Sequence, residues 1–233
     1  MIETNSEWLR KEPFTLALSA GFFGFFAHAG FVCALERKNL FPKRIVGVSA
    51  GALTGALWAS GVGALELKTL LLSLNRNEFW DPAFPLGGIL KGKKFAQKLH
   101  SILERRGVGE FHHCPIALTV VVFDLLRRRT KLISEGAIEP AVRASCALPL
   151  FFRPVRIGFQ LYLDGGIGDR FGVSALKKGE RTAFHILLGS STRLGPTGIE
   201  EIEERSFDNW NFFQVHNLPK VGPFSLEHGQ RAL

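Results

Sequence analysis

Two long stretches without acidic or basic side chains dominate the first third of the sequence. His28 and Cys33 are the only titratable side chains in residues 14–35, and residues 45–65 contain no charged side chain at all. Both runs exceed the ~18 apolar residues that make a transmembrane candidate. Gly47, Gly51 and Gly55 recur at the four-residue spacing of helices that pair closely in lipid. A membrane hairpin is therefore the first alternative to consider.

Small and polar residues inside each run favour a different interpretation. Each run divides into an apolar strand, a glycine-containing turn and a helix. The first strand is predicted at 15–19 with its helix at 28–37, and the second strand at 43–48 with its helix at 50–60. Strands that are buried on both faces of a parallel sheet read as continuous apolar runs. A buried β-α-β-α beginning therefore explains the missing charges without a membrane.

The rest of the chain continues this alternation of strands and helices. We predict an α/β fold with a mostly parallel central sheet flanked by helices, in a single domain over residues 1–233. The region after residue 189 is weakly patterned. Further helices are predicted at 65–74, 91–106 and 140–147, and further strands at 116–123, 130–134, 155–157, 160–163 and 183–188.

The charge of the chain limits its partners. The net charge of +8 favours anionic partners such as phospholipid surfaces, nucleic acid or acidic substrates. No base-reading module is present, so we expect no nucleic acid, whereas the basic side chains could dock the protein on an anionic membrane surface. The cysteines lack metal-ligand spacing, and we expect a cytoplasmic protein without metal or cofactor. The basic residues are Lys91, Lys93, Lys94, Arg105, Arg106, Arg127–Arg129, Lys177 and Lys178.

A GxSxG motif, Gly47-Val48-Ser49-Ala50-Gly51, lies between a predicted strand and a predicted helix. A nucleophilic serine needs this setting, because its hydroxyl must stand out on a tight turn at the end of the strand. The helix that follows directs its N–H groups and positive dipole end toward the same place. Ser49 is therefore the candidate nucleophile, and the alternative is a glycine-rich turn with a surface serine.

The loop after the first strand, residues 19–26, is rich in glycine and phenylalanine. It partly matches the GxGxxG of nucleotide-binding loops, but the first glycine is missing and four phenylalanines crowd it. An oxyanion hole fits better, because backbone N–H groups need no particular side chains. The phenylalanines would line an acyl channel or pack in the core.

Asp164 ends a predicted strand and is followed by Gly165 and Gly166. An Asp before two glycines is often only a turn. A strand-end Asp in an α/β sheet, however, would share the sheet edge with Ser49. Apolar neighbours would raise its proton affinity, which a general base requires.

Together these elements resemble the patatin-like phospholipases. The resemblance rests on residues 15–30, on the elbow at 47–53, on the stretch from 144 to 166, and on 218–224. It implies a three-layer α/β/α fold and metal-free hydrolysis of lipid or phospholipid acyl esters by a Ser–Asp dyad without histidine.

Carried over residue by residue, the resemblance makes Ser49 the nucleophile and Asp164 the base. It assigns the oxyanion hole to the first loop, where we select the amides of Gly21, Phe22 and Phe23. Two features depart from the family. The loop lacks its usual basic residue, and Asp169-Arg170-Phe171-Gly172 lacks the usual proline-containing turn.

Two other functions remain open from the sequence. One is an α/β-hydrolase esterase with a Ser-Asp-His triad, for which His185, His216 or His228 would follow Asp164 in chain order. Against it, Ser49 comes after only two predicted strands. The other is a non-catalytic lipid-binding module of the same fold.

Overall fold

An eight-stranded sheet forms the centre of the computed structural model, which describes residues 4–82, 88–188, 209–219, 221–222 and 225–233. Strand pairing follows the order β5-β6-β3-β2-β1-β7-β8, with β4 paired to β3. The strands are β1 (Thr15–Leu18), β2 (Arg44–Val48), β3 (Ala117–Asp124), β4 (Arg129–Ile133), β5 (Val155–Ile157), β6 (Gln160–Asp164), β7 (Thr182–Leu187) and β8 (Trp210–Val215).

The middle of the sheet is parallel and one end is antiparallel. Strands β3, β2, β1, β7 and β8 run in one direction, whereas β4, β5 and β6 join by antiparallel pairing. The prediction of a mostly parallel α/β sheet with flanking helices is confirmed. The strands predicted at 155–157 and 160–163 are present and form a hairpin, β5 and β6.

Strands β2 and β6 share one side of β3, and this arrangement places the site. Strand β2 pairs with residues 117–121 of β3, and β6 pairs with residues 122–124. Strand β4 pairs with residues 120–124 and thereby occupies the opposite side. The C-terminal ends of β2 and β6 therefore approach each other head-on from opposite directions. We expected Ser49 and Asp164 to meet because strand ends share one edge of the sheet. They meet instead because β6 is antiparallel to β3, so that its C-terminal end faces the C-terminal end of β2.

Among the described residues, the apolar side chains of the helices belong to one core cluster on one face of the sheet. The side chains of Leu16 and Leu18 in β1 belong to the large core cluster with the helices, while Ala17 points to the opposite cluster with Phe171 and Ala175. This alternation follows from the two-residue period of a strand. The helices are α1 (Asn5–Lys11), α2 (Phe25–Arg37), α3 (Ala50–Ala59), α4 (Ala64–Leu72), α5 (Lys93–Glu104), α6 (Ile138–Ser145) and α7 (Gly229–Ala232).

Both uncharged runs fold as strand and helix, β1 with α2 and β2 with α3. Helix α3 lies so close to the sheet that a Cβ on Gly51 would approach the Leu18 carbonyl oxygen to 2.1 Å. A Cβ on Gly55 would come to 2.8 Å from a methyl carbon of Ile45. The glycine spacing thus serves helix–sheet packing. Within the described ranges, no helix is long and apolar enough to cross a membrane.

Candidate active site

Ser49 occupies a strained turn between β2 and α3. Its backbone has φ 52° and ψ −116°, a conformation that residues with a side chain rarely adopt. Such a conformation costs on the order of 1–3 kcal/mol and persists only where its surroundings impose it. The turn leaves Ser49 directly at the N-terminus of α3, whose free N–H groups favour negative charge.

The two glycines of the GxSxG motif are required by close backbone approach. A Cβ on Gly47 would lie 2.5 Å from the Cα of Ala52, and one on Gly51 would overlap the Leu18 carbonyl. Neither neighbour is a flexible side-chain end. Both positions therefore require glycine, because α3 packs directly against the backbone of the strands.

Two residues at the end of α6 hold the Ser49 backbone in place. The Ser49 amide donates to the Ser145 hydroxyl at 2.8 Å, and that hydroxyl donates to the Val121 carbonyl of β3 at 2.6 Å. The Cys146 thiol donates to the Ser49 carbonyl at 3.3 Å. Burial raises the pKa of this thiol well above its usual value, so it stays protonated. Sequence reasoning gave neither residue a role, although both lie in a stretch that carries the family resemblance.

The structure brings the Ser49 and Asp164 side chains together. The Ser49 hydroxyl donates to Oδ2 of Asp164 at 2.7 Å, and the Gly166 amide donates to Oδ1 at 2.8 Å. The Asp164 amide donates to the carbonyl of Ala147 just after α6. Both carboxylate oxygens are therefore fixed, and one of them points at the serine hydroxyl.

Burial changes the acidity of Asp164. The residue is only 5% exposed, and desolvation raises the pKa of its carboxyl from 3.8 to about 6. The hydrogen bonds from Ser49 and Gly166 and the charge of Arg170 oppose this rise. Asp164 is consequently ionised at neutral pH and takes up a proton more readily than a free aspartate.

The first loop contributes a tight turn beside this pair. The Gly24 amide donates to the Gly21 carbonyl at 2.8 Å, and Phe23 adopts φ 55°. Within the described part of the chain, the amides of Gly21, Phe22 and Phe23 have no hydrogen-bond acceptor. These donors are therefore available to a ligand.

One cavity of about 480 Å³ contains all the predicted site residues. Its size falls in the range of small-molecule sites. Ser49, Asp164 and the first loop line one part of it, and apolar side chains of α3, α4 and α5 line another part. Phe22, Phe23 and Phe25 belong to the lining, whereas Phe26 packs fully in the core. The apolar residues on the helices are Leu53, Leu57, Leu70, Leu71, Phe95, Leu99 and Ile102.

No histidine lies among the described residues that line the cavity. His185 is buried on β7, where its Nδ1 shares a 2.7 Å hydrogen bond with Nδ1 of His28, and Nε2 of His28 bonds to the Ser19 carbonyl oxygen. Burial lowers the pKa of both rings, to about 4 for His28, so the pair is neutral. Among the described residues, no three His, Cys, Asp or Glu side chains could hold a metal ion together.

Comparison with known proteins identifies the family. Residues 16–177 match the model of the patatin-like phospholipases. This match covers more than half of the chain and includes the β1 loop, the Ser49 turn and Asp164. The chain belongs to the patatin-like phospholipase family.

Individual relatives agree with this assignment. An uncharacterized NTE family protein of Mycobacterium tuberculosis is 31% identical over 162 residues, which cover 66% of this chain and 42% of that protein. Lysophospholipase NTE1 of Scheffersomyces stipitis is 26% identical over 225 residues, covering 91% of this chain and 14% of that protein. The chain thus spans less than half the length of these two relatives.

The same fold occurs in a solved structure. VipD from Legionella pneumophila superposes with a TM-score of 0.69 at 15% sequence identity, covering 95% of this chain and 65% of that chain. At this identity the likeness establishes the fold.

Proposed function

We propose that the protein is a serine acyl hydrolase that cleaves carboxylic esters of lipids, of the phospholipase A or lysophospholipase type. Ser49 is the nucleophile, Asp164 is the general base, and the amides of Gly21, Phe22 and Phe23 form the oxyanion hole. The 2.7 Å hydrogen bond from the Ser49 hydroxyl to Asp164, inside a largely apolar cavity, is the observation that carries this proposal. The family and the name of the Scheffersomyces stipitis relative support the lipid substrate.

The chemistry follows from the positions of these groups. Asp164 takes the hydroxyl proton as Ser49 Oγ forms a bond to the carbonyl carbon of the ester, and the carbonyl oxygen becomes negatively charged. The loop amides and the N-terminus of α3 stabilise that oxygen. Asp164 then returns the proton to the leaving alcohol. A water molecule, activated by the same carboxylate, releases the acyl group from Ser49.

The surroundings of the site suit a lipid at a membrane surface. Phe22 and Ile167 line the cavity yet are 54% and 45% exposed, so they lie at its mouth. Lys91 also lines the cavity and is exposed. Apolar side chains next to a cation fit the interface of an anionic bilayer. We therefore propose peripheral contact of this mouth with the membrane that supplies the substrate.

Hydrolysis of a lysophospholipid and of an uncharged ester tests the proposal. Ser49→Ala and Asp164→Asn should both abolish turnover, and Ser49→Ala should abolish labelling by a fluorophosphonate. Ser101→Ala, which removes an exposed hydroxyl on α5, is the matched control and should react like the wild type. A folded protein that fluorophosphonate does not label would favour the non-catalytic lipid-binding module.

The histidines separate the dyad from a Ser-Asp-His triad. His216→Ala and His228→Ala should retain full kcat, because a dyad needs no imidazole. His185→Gln should lower stability, since it disrupts the buried pair with His28, but the folded variant should still hydrolyse ester. Loss of labelling in any one of these folded variants would support the triad instead.

A further inference from the structure

Arg170 lies on a turn that is fixed on both sides. The buried carboxylate of Asp169 accepts hydrogen bonds from the amides of four successive residues. The Arg170 carbonyl accepts a hydrogen bond from the amide of Ala20, the first residue of the loop in the cavity, at 2.8 Å. The backbone of Arg170 is thus attached to the same loop that carries the proposed oxyanion donors. The four donors are Phe171, Gly172, Val173 and Ser174.

The Arg170 side chain has no counter-ion within ion-pair distance among the described residues. It lines the same cavity as Ser49 and Asp164, and its charge acts on the Asp164 carboxylate. Its Nε is buried without a hydrogen-bond partner, and the described residues offer its guanidinium no ion pair within 4.0 Å. Half-buried guanidinium groups are normally engaged by carboxylates or phosphates, so this one is free to serve a ligand.

The proposed reaction moves a negative charge from one group to another within the cavity that Arg170 lines. When Asp164 takes the Ser49 proton, the carboxylate becomes neutral and the carbonyl oxygen of the ester becomes negative. The total charge of the site stays the same and only its position changes. A cation that lines the same cavity can therefore stabilise the carboxylate before attack and the oxyanion after it, with little rearrangement. Neutral loop amides do not supply such a charge.

We propose that Arg170 is a further catalytic residue, whose guanidinium donates hydrogen bonds to the ester oxygen that becomes negatively charged when Ser49 attacks. This inference rests on the proposed acyl hydrolase function. It gives the site a cation that its glycine-rich loop does not contain.

The kinetic test compares Arg170→Gln and Arg170→Lys with the wild type on two esters of equal chain length. One is an uncharged p-nitrophenyl ester and the other a lysophosphatidylcholine. Rates are taken on the alkaline plateau, where Asp164 is ionised in every variant. We expect Gln to lower kcat by about 10²-fold on both esters with KM changed little, as for loss of one oxyanion donor. Arg170→Lys keeps the charge but lacks the planar guanidinium, so its kcat should lie between those of Arg170→Gln and the wild type.

The acid limb of the pH profile supplies a second measurement. Removal of the Arg170 charge should shift that limb to higher pH, because the guanidinium favours the ionised Asp164 carboxylate. An unshifted limb would place the guanidinium charge away from the Ser49–Asp164 pair and would contradict the inference. Arg156→Gln, which removes an exposed cation on β5 outside the cavity, is the charge-matched control and should change neither kcat nor the limb.

The outcomes that overturn the inference are specific. A folded Arg170→Gln with kcat within threefold of wild type on the uncharged ester contradicts it. A loss confined to the lysophospholipid also contradicts it and assigns Arg170 to the phosphate. If Arg170→Gln does not fold, Arg170→Lys provides the test. An unchanged kcat in that variant refutes the proposal, and a fall in kcat at constant KM supports it. Equal inactivity of wild type and Ser49→Ala would instead refute the acyl hydrolase function itself.

Discussion

The Ser145 hydroxyl on α6 accepts a hydrogen bond from the backbone amide of Ser49 at 2.8 Å and donates one to the Val121 carbonyl on β3. It thereby connects the strained turn to the central strand. Ser145 is completely buried, so water cannot replace it. The position of the candidate nucleophile depends on this hydroxyl as well as on its own motif.

Ser145→Ala should therefore lower both stability and turnover. The Ser49 amide loses its acceptor and the Val121 carbonyl loses a donor, which costs roughly 1–3 kcal/mol in the free energy of unfolding. We also expect kcat to fall while KM changes little, because the Ser49 turn is less firmly held. Urea unfolding and steady-state kinetics measure the two effects. A variant with wild-type kcat would show that the other contacts suffice to hold the turn.

The activity should depend on the ionisation of Asp164. Because burial raises its pKa to about 6, kcat/KM should be constant above pH 7 and fall about tenfold by pH 5. The buried histidine pair should not obscure this limb, since burial keeps the pKa of His28 at about 4. The profile is best measured with an uncharged ester from pH 4.5 to 8.5. A profile that stays flat to pH 4.5 would exclude a base with a raised pKa.

The same carboxylate should reduce stability at neutral and alkaline pH. A group whose pKa is higher in the folded protein stabilises the fold at low pH, and this contribution is lost as pH rises through the folded pKa. The difference between 3.8 and about 6 corresponds to on the order of 3 kcal/mol at pH 8.

Asp164→Asn should thus be inactive yet more stable than wild type at pH 8, with the difference largely gone at pH 4. Urea denaturation at both pH values measures this. Asp124→Asn is a control for which we expect the opposite change in stability. Asp124 also ends a strand and is buried, but its hydrogen bonds with Arg127 lower its pKa, so its replacement should destabilise the protein at pH 8. An Asp164→Asn variant that is less stable at pH 8 would contradict the desolvation argument.

Two glycine substitutions test the packing of α3 on the sheet. In Gly51→Ala the new Cβ would meet the Leu18 backbone oxygen at 2.1 Å, so α3 must move away from the sheet. We expect a loss of several kcal/mol or failure to fold. Gly109→Ala, with nothing within 4 Å of its Cβ, should change the free energy of unfolding by less than about 1 kcal/mol. Thermal unfolding compares the two variants, and equal melting temperatures would refute the close packing of α3 on the sheet.

The sequence was informative where structure is local. The β1-α2 and β2-α3 units could be predicted because each apolar strand, glycine turn and helix is continuous in the chain. Helix α5 was predicted over 91–106 and spans Lys93–Glu104, because the spacing of Leu99, Ile102 and Leu103 reveals its buried face. The glycines around Ser49 marked the close approach that the structure shows.

The remaining features depend on partners that are distant in the chain. Strand β8 was not predicted, since every one of its residues is half-buried and its apolar residues show no strict alternation. The antiparallel direction of β6 depends on pairing with β3, which no local pattern encodes. Ser145 and Arg170 gave no signal, because a buried hydroxyl or guanidinium gains its role only from the elements packed around it. Helix α1 was likewise missed, although Thr4 and Glu7 form a capping box at its start.

The head-on meeting of β2 and β6 has a consequence for folding. Ser49 and Asp164 are separated by 115 positions, and β6 is attached to β3 through only three residue pairs. A slip of one residue would move the carboxylate by about 3.3 Å and turn it to the other face of the sheet. Recovery of esterase activity during refolding would therefore report the moment at which this hairpin reaches its native alignment, later than signals from the helices alone.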